Sequence, residues 1–410
     1  MKAGWQTKTL GEICQIKPPK SEARNKISAA ELVSFLPMEA LGIDRKFVGA
    51  TQDKPLSDVA GSYTYFADGD VLLAKITPCF ENGKLGIAEG LINGIGFGSS
   101  EYVVFRPNET ISNEWLYYYL SREVFRVEGA ARMLGSVGHK RVSKEFIESS
   151  LIPIPPLPEQ QRIVGILDAA FDGIATAKAN AEQNLQNARA LFESHLQSVF
   201  TQSSLSNVEG RGEGWEDTTI GEQIRFIDYR GKTPEKTASG LRLITAKNVK
   251  MGYVQLEPQE FIAPESYDSW MTRGIPRFGD VLFTTEAPLA NVAQLDTDEK
   301  VVFAQRIIIM QPDTSKLDST FLKYLLLSQP VQQRIRTKGT GATVQGIKAS
   351  LLKTIEISFP SSLDEQEMIV AKLDGLREET QRLESLYQRK LAALAELKQS
   401  LLHQAFAGEL

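Results

Sequence analysis

The chain has 410 residues, 42% of them apolar and 24% charged, with two cysteines and three histidines. This is the composition of a folded globular protein with room for two to four domains, and it excludes a disordered or disulfide-stapled chain. No apolar run reaches the roughly 18 residues of a membrane span, and Met1–Leu10 lacks a signal-peptide core, so a cytoplasmic protein without membrane contact is expected.

In chain order, the first 157 residues read as a mixed α/β globule. Strands are expected at Val71–Ile76, Tyr102–Arg106 and Leu151–Ile154, set apart by Gly, Pro and Asn clusters. Gly94–Gly98 reads as a hairpin loop, and Trp115–Leu120 with Val124-Phe125 as one amphipathic helix behind Asn113. The Pro-rich run Ile152–Pro158 then sets a sharp helix start, and a long helix is expected over 158–202. A second globule, 203–363, repeats the order: strands at Val281–Thr284 and Val301–Met310, a helix over Phe321–Ile335, a closing strand at Ile355–Phe359. A second long helix, 364–410, opens on an Asp364-x-x-Glu367 capping box.

Both long helices carry apolar stripes. Leu167, Ala170, Ile174, Ala177, Ala181, Leu185, Ala188, Phe192 and Leu196 line the first. Ile369, Leu373, Leu376, Thr380, Leu383, Tyr387, Lys390, Leu394, Leu397 and Leu401 line the second. Steps of three and four are a coiled-coil seam, and each stripe's natural partner is the other, antiparallel.

The halves are copies. Glu159-Gln160-Gln161-Arg162-Ile163-Val164-Gly165-Ile166-Leu167-Asp168 returns 206 residues later as Glu365-Gln366-Glu367-Met368-Ile369-Val370-Ala371-Lys372-Leu373-Asp374, with six of ten positions identical. Trp5, Leu10-Gly11-Glu12 and Gly69-Asp70-Val71-Leu72 return as Trp215, Ile220-Gly221-Glu222 and Gly279-Asp280-Val281-Leu282 at a shift of 210. The fold expected is α+β: two mixed α/β domains separated by two long antiparallel helices in a coiled coil, with a pseudo-twofold internal repeat. Gly69-Asp70 and Gly279-Asp280 read as turns feeding strands.

Net charge is −5, but residues 1–157 hold 18 basic and 18 acidic side chains and 203–363 hold 19 and 19. The helices therefore carry the negative excess, and clusters within the globules decide what they bind. Lys323, Arg334, Arg336, Lys338, Lys348 and Lys353 lie in an acid-free stretch around Gly339–Gly346, which holds Thr343 and Gln345. Arg132, His139, Lys140, Arg141 and Lys144 surround Gly135–Gly138 at the matching place. Arg225, Arg230, Lys232, Lys236, Arg242, Lys247 and Lys250 open the second globule, with Lys17, Lys20, Arg24 and Lys26 as a weaker counterpart. Cations and amides bind phosphates, and Arg or Gln can read base edges. No nucleotide-binding Gly motif, no metal-spaced His/Cys set and no nucleophile–base pair is present, so catalysis by this chain is not expected.

With these features the chain resembles the specificity (S) subunit of type I restriction–modification systems. The Pro-rich junction, the doubled Glu-Gln-x-x-Ile-Val and the ending Phe406-Ala407-Gly408-Glu409-Leu410 carry the resemblance. It implies a non-catalytic subunit with two target recognition domains, 1–157 and 203–363, each reading one half of a bipartite double-stranded DNA site. The spacer helices 158–202 and 364–410 would set the gap between halves and dock two methyltransferase subunits through Glu159, Gln160, Ile163, Glu365, Gln366 and Ile369. DNA contacts would come from Arg132, His139, Lys140, Arg141, Lys144, Arg225, Arg230, Lys232, Lys247, Arg334, Arg336, Lys338, Thr343, Gln345 and Lys348. The methyltransferases, not this chain, would hold S-adenosylmethionine, and motor–nuclease subunits would join for restriction. The competing reading is a coiled-coil scaffold without DNA readout, which leaves the paired basic loops unexplained.

Overall fold

The computed structural model describes residues 4–49, 51–136, 138–204, 214–229, 233–304, 306–341 and 345–410. Arg230, Lys232 and Thr343, three expected DNA-contacting residues, lie outside them. The chain divides into two compact units, Met1–Glu182 with Arg389–Leu410, and Gln183–Gln388. Each unit holds one globule and part of both long helices, so the unit boundaries fall inside the helices.

The first globule has two main sheets. A five-stranded sheet runs in the order Cys14–Ile16, Tyr102–Pro107, Val71–Ala74, Leu85–Ala88, Phe47–Val48. A four-stranded sheet runs Gln52–Pro55, Leu32–Leu36, Ile95–Gly98, Thr64–Ala67. The second globule repeats the plan with Ile224–Asp228, Ile307–Pro312, Val281–Thr284, Val292–Gln294 in one sheet and Phe261–Ile262, Leu241–Ile244, Val301–Phe303 in the other. In both, the second sheet contains one parallel pair. Each globule is closed by pairing of its first and last strands, Gln6–Thr9 with Leu151–Ile154 and Trp215–Thr219 with Glu356–Pro360.

Two strand expectations change. Gly94–Gly98 is not a hairpin loop: Ile95–Gly98 is an inner strand, where a Cβ on Gly96 would stand 2.1 Å from the Phe66 ring and one on Gly98 2.4 Å from the Leu36 carbonyl. Its glycines serve close approach rather than a turn. Val301–Met310 is two strands in different sheets, because the chain turns through Arg306 at φ +74. The Gly-Asp turns form as read: Gly69 and Gly279 have φ of +83 and +85. Asp70 and Asp280 accept the N–H of Ala67 and Arg277, each at 2.8 Å.

The expected amphipathic helix is a broken pair in both globules. Asn113–Ser121, capped by Ser112, and Glu123–Ala131 meet at an extended Arg122; Ser319–Leu327, capped by Asp318, and Gln329–Lys338 meet at Ser328. Trp115–Leu120 are all buried. In each unit the end of a long helix enters the same core as this first helix. Phe406 lies 4.3 Å from the Trp115 ring, and Phe200 lies 5.5 Å from Phe321 at the matching place. Burying one such ring contributes about 2–3 kcal/mol.

The long helices are Leu157–Ser204 and Leu363–Ala407. The second begins one residue before the expected box, and the hydroxyl of Ser362 receives the Glu365 N–H at 3.4 Å. Within each unit they run antiparallel: Arg162 donates to the Leu410 carbonyl in one, and Arg189 pairs with Glu384 in the other. The first seam is buried or half-buried throughout. The second departs from its expected series at exposed Lys390 and Leu397 and passes instead through Leu391, Leu394, Lys398, Leu402 and Ala405. A strict 3.5-residue series drifts off one face of a helix whose turn is 3.6 residues.

Candidate nucleic-acid interface

The two glycine loops are equivalent hairpins. In the first globule Met133–Leu134 pairs with Arg141–Val142. The turn between them uses Gly135 at φ +124, where a Cβ would press to 2.9 Å on the His139 carbonyl. In the second, Thr340 and Gly346 exchange backbone hydrogen bonds of 2.8 and 2.9 Å, and Gly341 takes the same φ of +124. Both stems rest on the turn that leaves a central strand. The N–H of Val142 bonds the Lys75 carbonyl, and that of Ile347 bonds the Thr285 carbonyl, each at 2.9 Å.

The first hairpin gathers His139, Lys140 and Arg141, all exposed. Glu101 grips Arg141 with two bonds of 2.9 and 2.7 Å, and the Arg141 Nη1 donates to the His139 carbonyl. This grip holds the Glu101 carboxyl below its ordinary range, through Arg141 first and Lys75 less. Lys75 stands beside the pair, its Nζ 4.0 Å from Glu101, with its own pKa lowered mainly by burial. Lys75 has no basic neighbour along the chain, so no charge cluster marks it in the sequence. Arg132 packs on the Phe146 ring at 5.2 Å, and Lys144 faces Glu148 at 3.3 Å.

The second hairpin exposes Gln345 and Lys348, with Arg336 exposed on the preceding helix. Arg334 and Lys338 are tethered there: Arg334 donates to the Glu356 carbonyl at 2.8 Å and Lys338 to both oxygens of Thr354 at 2.9 Å. Lys247 lies exposed on the turn after Leu241–Ile244. Arg225 is not brought to the hairpin. It pairs with Gln311, near the far end of the strand that starts at Ile307 beside the stem, roughly 13 Å away at about 3.3 Å per residue.

The expected docking signature mostly faces inward. Gln160 and Gln366 are fully buried. Gln160 accepts the Ser112 N–H at 2.9 Å and donates to the carbonyls of Thr110 and Pro155. Gln366 accepts the Asp318 N–H at 2.8 Å and donates to those of Lys316 and Pro360. Ile163 is buried too, and Ile369 half-buried against the second core. These four side chains latch each long helix to its own globule, and Gln160, Gln366 and Ile163 are wholly buried in doing so. Glu159 and Glu365 are only half-buried, Glu159 pairing with Arg162 at 2.7 Å. The repeat's last residue is also intramolecular: Asp168 accepts from the Tyr118 hydroxyl, and Asp374 from Tyr324. Burial and the carboxylate push both phenols up, so the proton stays on tyrosine.

One family model, the type I restriction modification DNA specificity domain, matches residues 2–187 and again 213–390. The chain belongs to that family. Each family segment covers one globule and runs into the long helix that follows it.

Among curated specificity subunits, those of EcoAI and EcoEI from Escherichia coli are 36% identical to this one over 219 and 215 residues. Those matches cover 52% of this chain and 35% of each relative, so the chain spans about a third of the length of these relatives. The putative MjaX specificity subunit of Methanocaldococcus jannaschii is 23% identical over 91% of this chain and 86% of its own. Two solved structures share the fold. One, from a study of type I R-M complex assembly and conformational transition, has a TM-score of 0.79 at 20% identity and covers 100% of this chain and 99% of its own. The HsdS subunit of Thermoanaerobacter tengcongensis has a TM-score of 0.63 at 20% identity, covering 100% and 98%. The expected fold class therefore stands: mixed α/β repeats, each followed by a long helix.

Proposed function

We propose that this chain is the non-catalytic DNA-reading subunit of a type I restriction–modification enzyme, each globule reading one half of a bipartite site. The observation that carries this is the pair of equivalent hairpins, built on one backbone plan and carrying different side chains. A shared plan gives both globules the same approach to the duplex, while unlike tips give two different half-sites. His139, Lys140, Arg141, Arg132 and Lys144 serve the first half-site; Arg336, Gln345, Lys348 and the tethered Arg334 and Lys338 serve the second. Arg225 and Lys247 have at most backbone-neutralising roles.

Methyltransferase partners, which would bring S-adenosylmethionine, dock on the outward acidic faces of the helices, where Glu159 and Glu365 stay accessible. Motor–nuclease subunits would complete a restricting complex. Supporting this division of labour, the helical segments carry the chain's negative excess, which repels DNA and leaves those faces to protein. Methylome sequencing of cells carrying the chain with its methyltransferase tests the reading: a split adenine motif is expected, absent when this chain is deleted. Methylated motifs that survive the deletion unchanged would refute it.

A further inference from the structure

Arg306, outside every basic cluster visible in the sequence, sits at the stem of the second hairpin. Its φ is +74, a conformation a long side chain adopts only at a cost that surrounding structure must offset, and one that marks functional positions. The surroundings hold it firmly. The N–H of Thr285 bonds the Arg306 carbonyl at 2.8 Å, and the Thr285 carbonyl in turn receives the Ile347 N–H of the hairpin at 2.9 Å. Glu286, bridged to Gly346 of the same hairpin, approaches the Arg306 Nε at 3.1 Å. Both side chains are 47% exposed. Among the described residues neither terminal nitrogen of Arg306 has a hydrogen-bond partner.

The first globule shows what has moved. There Lys75 donates its N–H to the Glu101 carbonyl at 3.0 Å, the bond that Thr285 makes to Arg306. Glu101 thus occupies the place of Arg306, and its carboxylate grips Arg141 from the hairpin. Both stems carry an arginine–carboxylate pair: the shared position holds the carboxylate in the first and the arginine in the second, while Arg141 comes from the hairpin and Glu286 from the turn beside it.

We propose that Arg306 is a specificity-determining residue that reads a guanine in the second half-site, with Glu286 as its buttress. This rests on the DNA-reading function proposed above. The Glu286 carboxylate pairs with the Nε edge at 3.1 Å and leaves the two terminal nitrogens, side by side, to face a ligand, the pair that matches guanine O6 and N7. A phosphate contact needs no such pairing, since a mobile cation serves as well.

The test uses the full chain with its methyltransferase, measuring binding to every single-base variant of the site. Arg306→Gly relieves the backbone and removes the side chain, so the fold is kept. It should lower the preference at one G·C pair of one half-site about tenfold or more, leaving the other half-site and the salt slope unchanged. Arg306→Lys should lose the same preference although it keeps the charge. Retained preference in Arg306→Gly overturns the assignment. So does a uniform loss across all sequences with the salt slope reduced by about one, the signature of a phosphate contact. A wild-type chain that gives no two-part motif overturns the underlying function itself, and is told apart because the parent then fails.

Discussion

At the junction of globule and helix the two units use the same skeleton with different charges. In the first, Asp168 takes the Tyr118 hydroxyl and also Lys46 from the globule, at 2.6 and 2.7 Å. In the second, Asp374 takes the Tyr324 hydroxyl, and the nearby cations are Lys323 and Arg377. Lys323 is mostly buried and packs over the Tyr324 ring at 4.2 Å. Arg377 donates to the Gly252 carbonyl at 2.9 Å. The uncharged contacts have stayed in place: the glutamine latches and the aromatic pairs coincide under the repeat. Hydrogen bonds to backbone and close packing demand one shape, whereas a charge can be supplied from any side that reaches it. That is why the frame is common and the charged surface is not.

The glutamine latches give the largest effect and should not distinguish the units. Gln160→Ala and Gln366→Ala each strand one buried N–H and two carbonyls, at about 1–3 kcal/mol per unsatisfied group and about 3 kcal/mol in all after relaxation. Urea unfolding of the full chain should give equal losses for the two variants. A loss under about 1 kcal/mol in either would mean that its latch is dispensable and the frame is not shared.

The tyrosine–carboxylate contacts should separate the units. Among the described residues Tyr324→Phe leaves Asp374 only the more distant cations and should cost about 2 kcal/mol, as for a hydrogen bond to a charged group. Tyr118→Phe leaves Asp168 paired with Lys46 and should cost about 1 kcal/mol. Adding Lys46→Met to Tyr118→Phe should remove that difference. Equal costs for the two single variants, by thermal unfolding, would show that Lys46 does not compensate.

The fold is legible in the sequence where periodicity and punctuation act locally. Leu151–Ile154 and Val281–Thr284 form as expected, and so do the helix starts after Pro156 and Pro360 within a residue or two. The two basic loops were legible because Gly, Gln and basic residues cluster there, but their hairpin pairing was not. What failed depended on distant neighbours. Gln160 sits in the first helical turn, where a polar residue ordinarily faces water, and its partners lie about fifty residues back at Thr110 and Ser112. Gly96 and Gly98 resembled a turn because the rings they accommodate, Phe66 and Tyr102, come from other strands. Arg306 was hidden inside an apolar run that looked like one continuous strand.

The smallest effect concerns a pair whose partners have exchanged. Lys398 of the second helix lies 5.4 Å from the Phe171 ring of the first; Arg377 of the second lies 5.8 Å from the Phe192 ring of the first. Under the 206-residue shift Phe171 corresponds to Arg377 and Phe192 to Lys398, so the same two seam positions hold cation and ring in opposite order. Either order brings a cation onto a ring, while two like partners would oppose cation to cation. Phe171→Arg faces Lys398 with a like charge and should cost about 0.5–1 kcal/mol. Adding Lys398→Phe recreates the second unit's order in the first and should restore most of that loss. The pairing of Lys398 with Asp44 is given up in the double variant, but Asp44 is 67% exposed, and so open a pair contributes little. A double variant no more stable than Phe171→Arg would mean that the exchange is incidental; recovery would mean that the seam requires complementary partners and is indifferent to which helix supplies the charge.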